Sequence, residues 1–243
     1  RNIATSGKLF LAGYSQGGHA AMATQRALEK DYTSEFKVTA SVPMAGPYAL
    51  SQTFLEGIQN PGQGATIFAP MVFTGYQKAY GDLYANASEV FQAPWANGID
   101  SLLPGTLSTT ELFTQGKLPL ALTGTGGLLT ATFVSRYQSD PNFAARKRIA
   151  ENDLLNFKPT SPTVLCAGAR DPVVPAKNMV TAVAYFASQG VQVNPIDVEQ
   201  VPQFKPAIDA QVAAAPDLST YHGTIVPPLC AAIAKSQVFD PLR

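Results

Sequence analysis

Leu9-Phe10-Leu11-Ala12-Gly13-Tyr14-Ser15-Gln16-Gly17-Gly18-His19-Ala20-Ala21-Met22 is the stretch on which the reading of this chain turns. The apolar run Leu9–Ala12 predicts a buried strand, and Gly18–Glu29 predicts a helix. Between them, Gly13-Tyr14-Ser15-Gln16-Gly17 has the pattern G-x-S-x-G. A serine on a sharp strand-to-helix turn is pushed out of the sheet, where its hydroxyl is open to a substrate. Glycines on both sides are expected because a larger side chain would clash where strand and helix cross.

Strand, G-x-S-x-G turn and helix in this order are the nucleophile elbow of the α/β-hydrolase fold. Downstream residues extend it. Lys37–Pro43 predicts the next parallel strand, completing one right-handed βαβ unit. Thr163–Gly168 predicts another strand, Ala176–Gln189 a helix closed by Gly190, and Val191–Val198 a last strand whose Pro195 places it at an edge. Ile225–Ser236 predicts a closing helix with two prolines in its first turn. Tyr48–Lys158 breaks this rhythm, because it puts over 100 residues between strands that one helix should join. It carries Tyr48, Phe54, Phe68, Phe73, Tyr76, Tyr80, Tyr84, Phe91, Trp95, Phe113 and Phe133. The expected architecture is therefore an α/β-hydrolase core, residues 1–47 and 159–243, with a mainly helical cap or lid, residues 48–158, inserted in it. Most of those aromatics are expected to form the cap's own core, and some to wall an apolar substrate pocket.

The 243 residues suit a domain with an insertion, and 46% apolar content is globular. Charged residues make up 14%, below the usual ~25%, and the net charge is zero without basic blocks, which argues against a nucleic-acid partner. Leu118–Val134 comes nearest to a membrane span, but three glycines and several threonines break it. The predicted elbow strand starts only about eight residues into the chain. The fold normally places several strands before it, and an early loop supplies one of two oxyanion N–H groups. The expectation is a C-terminal portion whose core is completed by an N-terminal segment or a partner chain, since a bare nucleophile strand would expose an unpaired edge.

A serine hydroxyl needs a base, and the base needs a carboxylate to hold its tautomer. Only His19 and His222 are available. His19 lies four residues after Ser15 on the helix leading away, a structural position. His222 lies before the closing helix, where the order Ser, Asp or Glu, His requires the base. Asp171, in Gly168-Ala169-Arg170-Asp171-Pro172-Val173-Val174-Pro175, follows a strand end and is the expected acid; Asp197, Asp209 and Asp217 are fallbacks. Arg170 reads as a loop-bracing cation. The backbone N–H of Gln16, at a helix N-terminus, is aimed to bind the developing oxyanion. No cofactor or metal is expected. Cys166 and Cys230 either bridge the acid and base segments or are two buried thiols; spacing leaves both open. Asn86-Ala87-Ser88 fits a glycosylation triplet, a pattern common by chance.

The chain resembles the secreted bacterial lipases and esterases of the α/β-hydrolase fold. The likeness is greatest to the cell-wall-degrading esterases of plant-pathogenic xanthomonads and more distant to the capped secretory lipases. It rests on Gly13–His19, Ala21-Met22-Ala23-Thr24-Gln25-Arg26, Gly46-Pro47-Tyr48-Ala49-Leu50, Gln52-Thr53-Phe54-Leu55, Phe91-Gln92-Ala93-Pro94-Trp95 and Leu165-Cys166. It implies a triad on Ser15, Asp171 and His222, a large lid, export to the extracellular space, a Cys166–Cys230 disulfide, and small-molecule or glycosylated ester substrates, among them cell-wall esters. The expected activity is carboxylic-ester hydrolysis through an acyl-enzyme. The alternatives are acyl transfer or peptide cleavage on the same machinery, or an inactive fragment acting as a binding subunit.

Overall fold

A computed structural model of the protein describes residues 6–243. Strand β1 is Phe10–Tyr14 and helix α1 is Gln16–Lys30; β2, Ala40–Met44, follows. Next come α2 (Leu50–Gln59), α3 (Ala65–Tyr80), α4 (Ile99–Leu102), α5 (Thr109–Thr114), α6 (Ala131–Ser139) and α7 (Ala144–Glu151). Then come β3 (Val164–Ala167), α8 (Lys177–Ser188), β4 (Asn194–Asp197), α9 (Lys205–Ala214) and α10 (Val226–Ile233). Among the described residues the sheet has the order β1-β2-β3-β4 and every pairing is parallel, so the core is an α/β arrangement of parallel strands linked by helices, as expected.

The described residues divide into two compact units, one of residues 6–49 and 153–243 and the other of Leu50–Asn152. In the first, alternation along the strands sorts side chains to two faces. Ala40, Val42, Met44, Val164 and Cys166 pack with Tyr221, Ile225, Val226, Cys230 and Ile233. Leu165 and Ala167 pack with Met22 of α1 and with Met179, Ala182 and Phe186 of α8. Both faces are thus covered by apolar side chains, as a parallel sheet requires, and every residue of β2 and β3 is buried. A wholly buried side chain such as Phe186 contributes roughly 1.5–3 kcal/mol.

The second unit has its own core, centred on Phe73. The Phe73 ring meets Phe133 at 4.9 Å and Phe54 at 5.5 Å between centroids, both edge-on. Phe91 and Tyr84 lie in the same core, with Tyr76, Trp95 and Phe113 packed against it. Three of the expected insertion's aromatics behave differently. Tyr48 is wholly buried with Met22 and Leu154 in the first unit, and Phe68 and Tyr80 are exposed. The Leu154 N–H donates to the Tyr48 carbonyl at 3.0 Å, so the chain leaves and re-enters the first unit at adjacent points.

Several boundaries shift from the sequence reading. β4 is four residues rather than eight, because Pro195 sits in it and the strand pairs only with β3. The closing helix α10 is shortened by single π turns before it, Tyr221–Ile225, and after it, Ala234–Phe239. Helix α9 was not anticipated; its apolar positions are too sparse for a clear helical stripe, with Ile208 its one buried residue.

Candidate active site

The turn at Ser15 is strained. Ser15 has φ 58° and ψ −121°, a left-handed conformation that L-residues adopt at a cost of about 1–3 kcal/mol. Its N–H donates to the Met44 carbonyl of β2 at 2.9 Å, and its carbonyl accepts from Gly18 N–H at 2.9 Å. The neighbouring glycines divide the work differently from the expectation. A Cβ at Gly13 would overlap the Gly17 carbonyl, and one at Gly18 would stand 2.5 Å from the Met44 carbonyl oxygen. A Cβ at Gly17 would meet nothing within 4 Å. The close crossing is therefore made by Gly13 and Gly18, because α1 approaches β2 through Gly18 and not through Gly17.

Ser15 Oγ lies 2.8 Å from His222 Nε2, and His222 Nδ1 lies 2.6 Å from Asp171 Oδ2. The Asp171 side chain is fully shielded from solvent, and the His222 side chain is 12% exposed. An ionised carboxylate only accepts, so Nδ1 carries the imidazole proton and the Nε2 lone pair faces the serine hydroxyl. The other Asp171 oxygen, Oδ1, accepts the backbone N–H groups of Val173 at 2.9 Å and Val174 at 3.0 Å, which fixes the carboxyl plane. Burial of that carboxylate is therefore compensated on both oxygens.

Further groups hold His222. His222 lies in the π turn that precedes α10, a local widening of the helix common at functional sites. Tyr14 reaches it from the elbow: its hydroxyl donates to the His222 carbonyl at 2.6 Å and lies 3.3 Å from Nδ1. Burial, with the Asp171 charge adding to it, pushes the Tyr14 phenol far above its ordinary value, so it stays a neutral donor. Cys166 and Cys230 are joined by a disulfide, with Cα atoms 5.8 Å apart, tying β3, which leads to the Asp171 loop, to α10, which follows His222. Gln16 is the first residue of α1, where backbone N–H groups have no acceptor within the helix.

The remaining candidates fall elsewhere. His19 Nδ1 lies 2.9 Å from the Pro47 carbonyl, and burial lowers its pKa despite that bond; it does not meet the Ser15–His222–Asp171 chain. Asp197 accepts from Ala169 and Glu199 N–H, Asp209 pairs with Arg170 and Lys205, and Asp217 accepts from Ser219, whereas the carboxylate at His222 Nδ1 is that of Asp171. Arg170 braces its loop through Glu199 and Asp209. Tyr14 and Glu199 escaped the sequence reading. Tyr14 occupies a free position of G-x-S-x-G, and Glu199 belongs to no motif. Among the described residues, no group of three His, Cys, Asp or Glu side chains is placed to hold a metal ion.

Comparison with solved structures places this geometry. A ligand-bound form of the rice cell-wall-degrading esterase LipA from Xanthomonas oryzae matches at 34% identity and a TM-score of 0.83, over 98% of this chain and 60% of that one. The chain has the α/β-hydrolase fold of these esterase structures. A mutant of the same LipA matches this α/β-hydrolase at 34% identity with a TM-score of 0.84 over the same shares. Candida antarctica lipase A shares the fold at 19% identity and a TM-score of 0.58, over 77% of this chain and 42% of that one. The α/β-hydrolase chain thus spans about 60% of the length of the LipA chains. No protein-family model matches it, nor does any curated protein. No helix among the described residues is long and apolar enough to cross a membrane.

Proposed function

We propose that this chain carries the catalytic site of a serine carboxylic-ester hydrolase. The observation that carries the reading is the unbroken relay Ser15 Oγ, His222 Nε2, His222 Nδ1, Asp171 Oδ2, with steps of 2.8 and 2.6 Å. Ser15 Oγ attacks the ester carbonyl carbon while its proton passes to His222 Nε2. Asp171 stabilises the imidazolium and keeps its own carboxylate unprotonated. The carbonyl oxygen becomes an oxyanion, which the Gln16 N–H and the positive end of α1 stabilise; one such donor is worth about 2.7–4 kcal/mol. Collapse expels the alcohol with the proton from Nε2 and leaves an acyl-serine. Water attacks the acyl carbon and gives a proton to Nε2; collapse breaks the bond to Ser15 Oγ, which takes that proton back, and the acid is released.

The inserted unit Leu50–Asn152 is assigned the role of cap, on the strength of its separate aromatic core. Likeness to an esterase described as degrading the rice cell wall supports glycosylated cell-wall esters as substrates. The buried disulfide, which persists best in an oxidising compartment, supports a site of action outside the cell.

The test is fluorophosphonate labelling read by intact mass, with Ser15→Ala as control, alongside hydrolysis of a p-nitrophenyl ester. Labelling and turnover that both vanish in S15A are the expected result. Folded protein that takes no label would sink the proposal, and product analysis showing chiefly ester exchange with an added alcohol would replace hydrolysis by acyl transfer.

A further inference from the structure

The residue before Asp171 is Arg170 and the residue before His222 is Tyr221, and one carboxylate holds both. Glu199 Oε1 accepts the Arg170 backbone N–H at 3.0 Å and also accepts the Tyr221 hydroxyl. Glu199 Oε2 lies 2.8 Å from Arg170 Nε. The carboxylate stands in a single helical turn, Val198–Gln200, directly after β4, anchored by the wholly buried Val198. Asp197 doubles the attachment: its Oδ1 accepts Glu199 N–H at 3.0 Å and Ala169 N–H at 3.2 Å. Tyr221 has no freedom to leave, being 0% exposed, and a Cβ on Gly168 would stand 2.5 Å from its hydroxyl.

An ion pair near the surface is worth little by itself, and the Arg170 side chain is 35% exposed. What is specific here is convergence. Donors from two loops far apart in sequence meet on one acceptor, and each loop carries one member of the Asp171–His222 pair at the next residue. We infer that Glu199 is a positioning residue: it fixes the acid loop and the base loop to the end of β4 and thereby sets the hydrogen bond between His222 Nδ1 and Asp171. It touches neither the serine nor the imidazole. The inference rests on the triad reading of the site.

The intact protein and the variants E199A, E199Q and Y221F are compared in ester hydrolysis and by the downfield proton resonance of the His222–Asp171 hydrogen bond. E199A is expected to lower kcat at least tenfold with KM little changed, and to shift or broaden the downfield proton. E199Q keeps an oxygen acceptor for the Arg170 N–H and the Tyr221 hydroxyl, so it should recover most of the loss. The double variant E199A/Y221F should be no slower than E199A, because both remove the same connection. A folded E199A with wild-type kcat and an unmoved downfield proton would overturn the inference. If E199A does not fold, Y221F decides: a shifted proton and reduced kcat support it, and neither change overturns it. The downfield proton is read without turnover, so loss of the catalytic reading, seen as turnover that survives S15A, is distinguishable from loss of this one.

Discussion

Ser15, Tyr14 and Gly18 concentrate the consequences of single substitutions. Replacing Ser15 by Ala removes the hydroxyl proposed as nucleophile, and kcat for ester hydrolysis should fall by at least about 10⁴-fold while the fold persists, as unfolding curves will show. Tyr14→Phe keeps the ring and deletes the donor to the His222 carbonyl, a bond of 2.6 Å. A net hydrogen bond is worth about 0.5–1.5 kcal/mol, so kcat should drop on the order of tenfold or less, with KM little changed. An unaltered kcat would mean that the π turn holds His222 without help. Gly18→Ala must push α1 away from the Met44 carbonyl, at about 1–3 kcal/mol of stability, whereas Gly17→Ala meets open space and should be near neutral in denaturant unfolding. At this scale the pattern G-x-S-x-G and the scarcity of histidines made Ser15 and His222 legible. Which glycine the crossing needs was not, because that depends on how closely α1 approaches β2, a distance no local pattern encodes.

Single elements near the end of the sheet carry Asp171 and His222. β3 and α10 are joined through Cys166 and Cys230, closing 64 residues of separation. The chain-entropy model gives such a bridge roughly 4 kcal/mol, so C166A/C230A should lower the unfolding midpoint by about that stability, with both thiol positions buried and hard to rehydrate. Glu199, in the turn after β4, makes a second, ionisable tie. Burial opposes its charge, but the bonds from Arg170 and Tyr221 outweigh it and hold its carboxyl below the ordinary value. A folded-state pKa below the unfolded one adds stability that is complete above the ordinary carboxylate pKa of about 4.3 and is lost as pH falls through the depressed value. Thermal midpoints of wild type and E199Q should therefore differ most above about pH 5 and converge on acidification; a constant gap would refute the linkage. β3, α8 and the position of Asp171 were readable from an apolar run and its turn residues. Helix α9 and the π turns were not, since α9 buries one residue and a π turn adds a single residue to a helix, too little to register in an apolar period.

The whole molecule is two compact units on one chain. Clusters around Phe73 and around Phe186 share no residue, and the chain passes between the units at 49–50 and again at 152–153. The Leu154-to-Tyr48 hydrogen bond closes the first unit across that insertion, so its backbone pairing does not depend on what lies between. The length of residues 48–158 and their aromatics announced an insertion; that Tyr48 belongs to the other core was hidden, because an aromatic beside a strand end reads the same on either side of a boundary. Separate cores imply separate cooperativity. Calorimetry of the intact protein should give a van't Hoff enthalpy below the calorimetric one. Phe73→Ala and Phe186→Ala each empty a fully buried site, at about 3–5 kcal/mol. Each should lower one component of the transition and leave the other in place. A single transition that both substitutions lower equally would mean that the two units unfold as one, and that cooperativity reaches past the separate hydrophobic clusters.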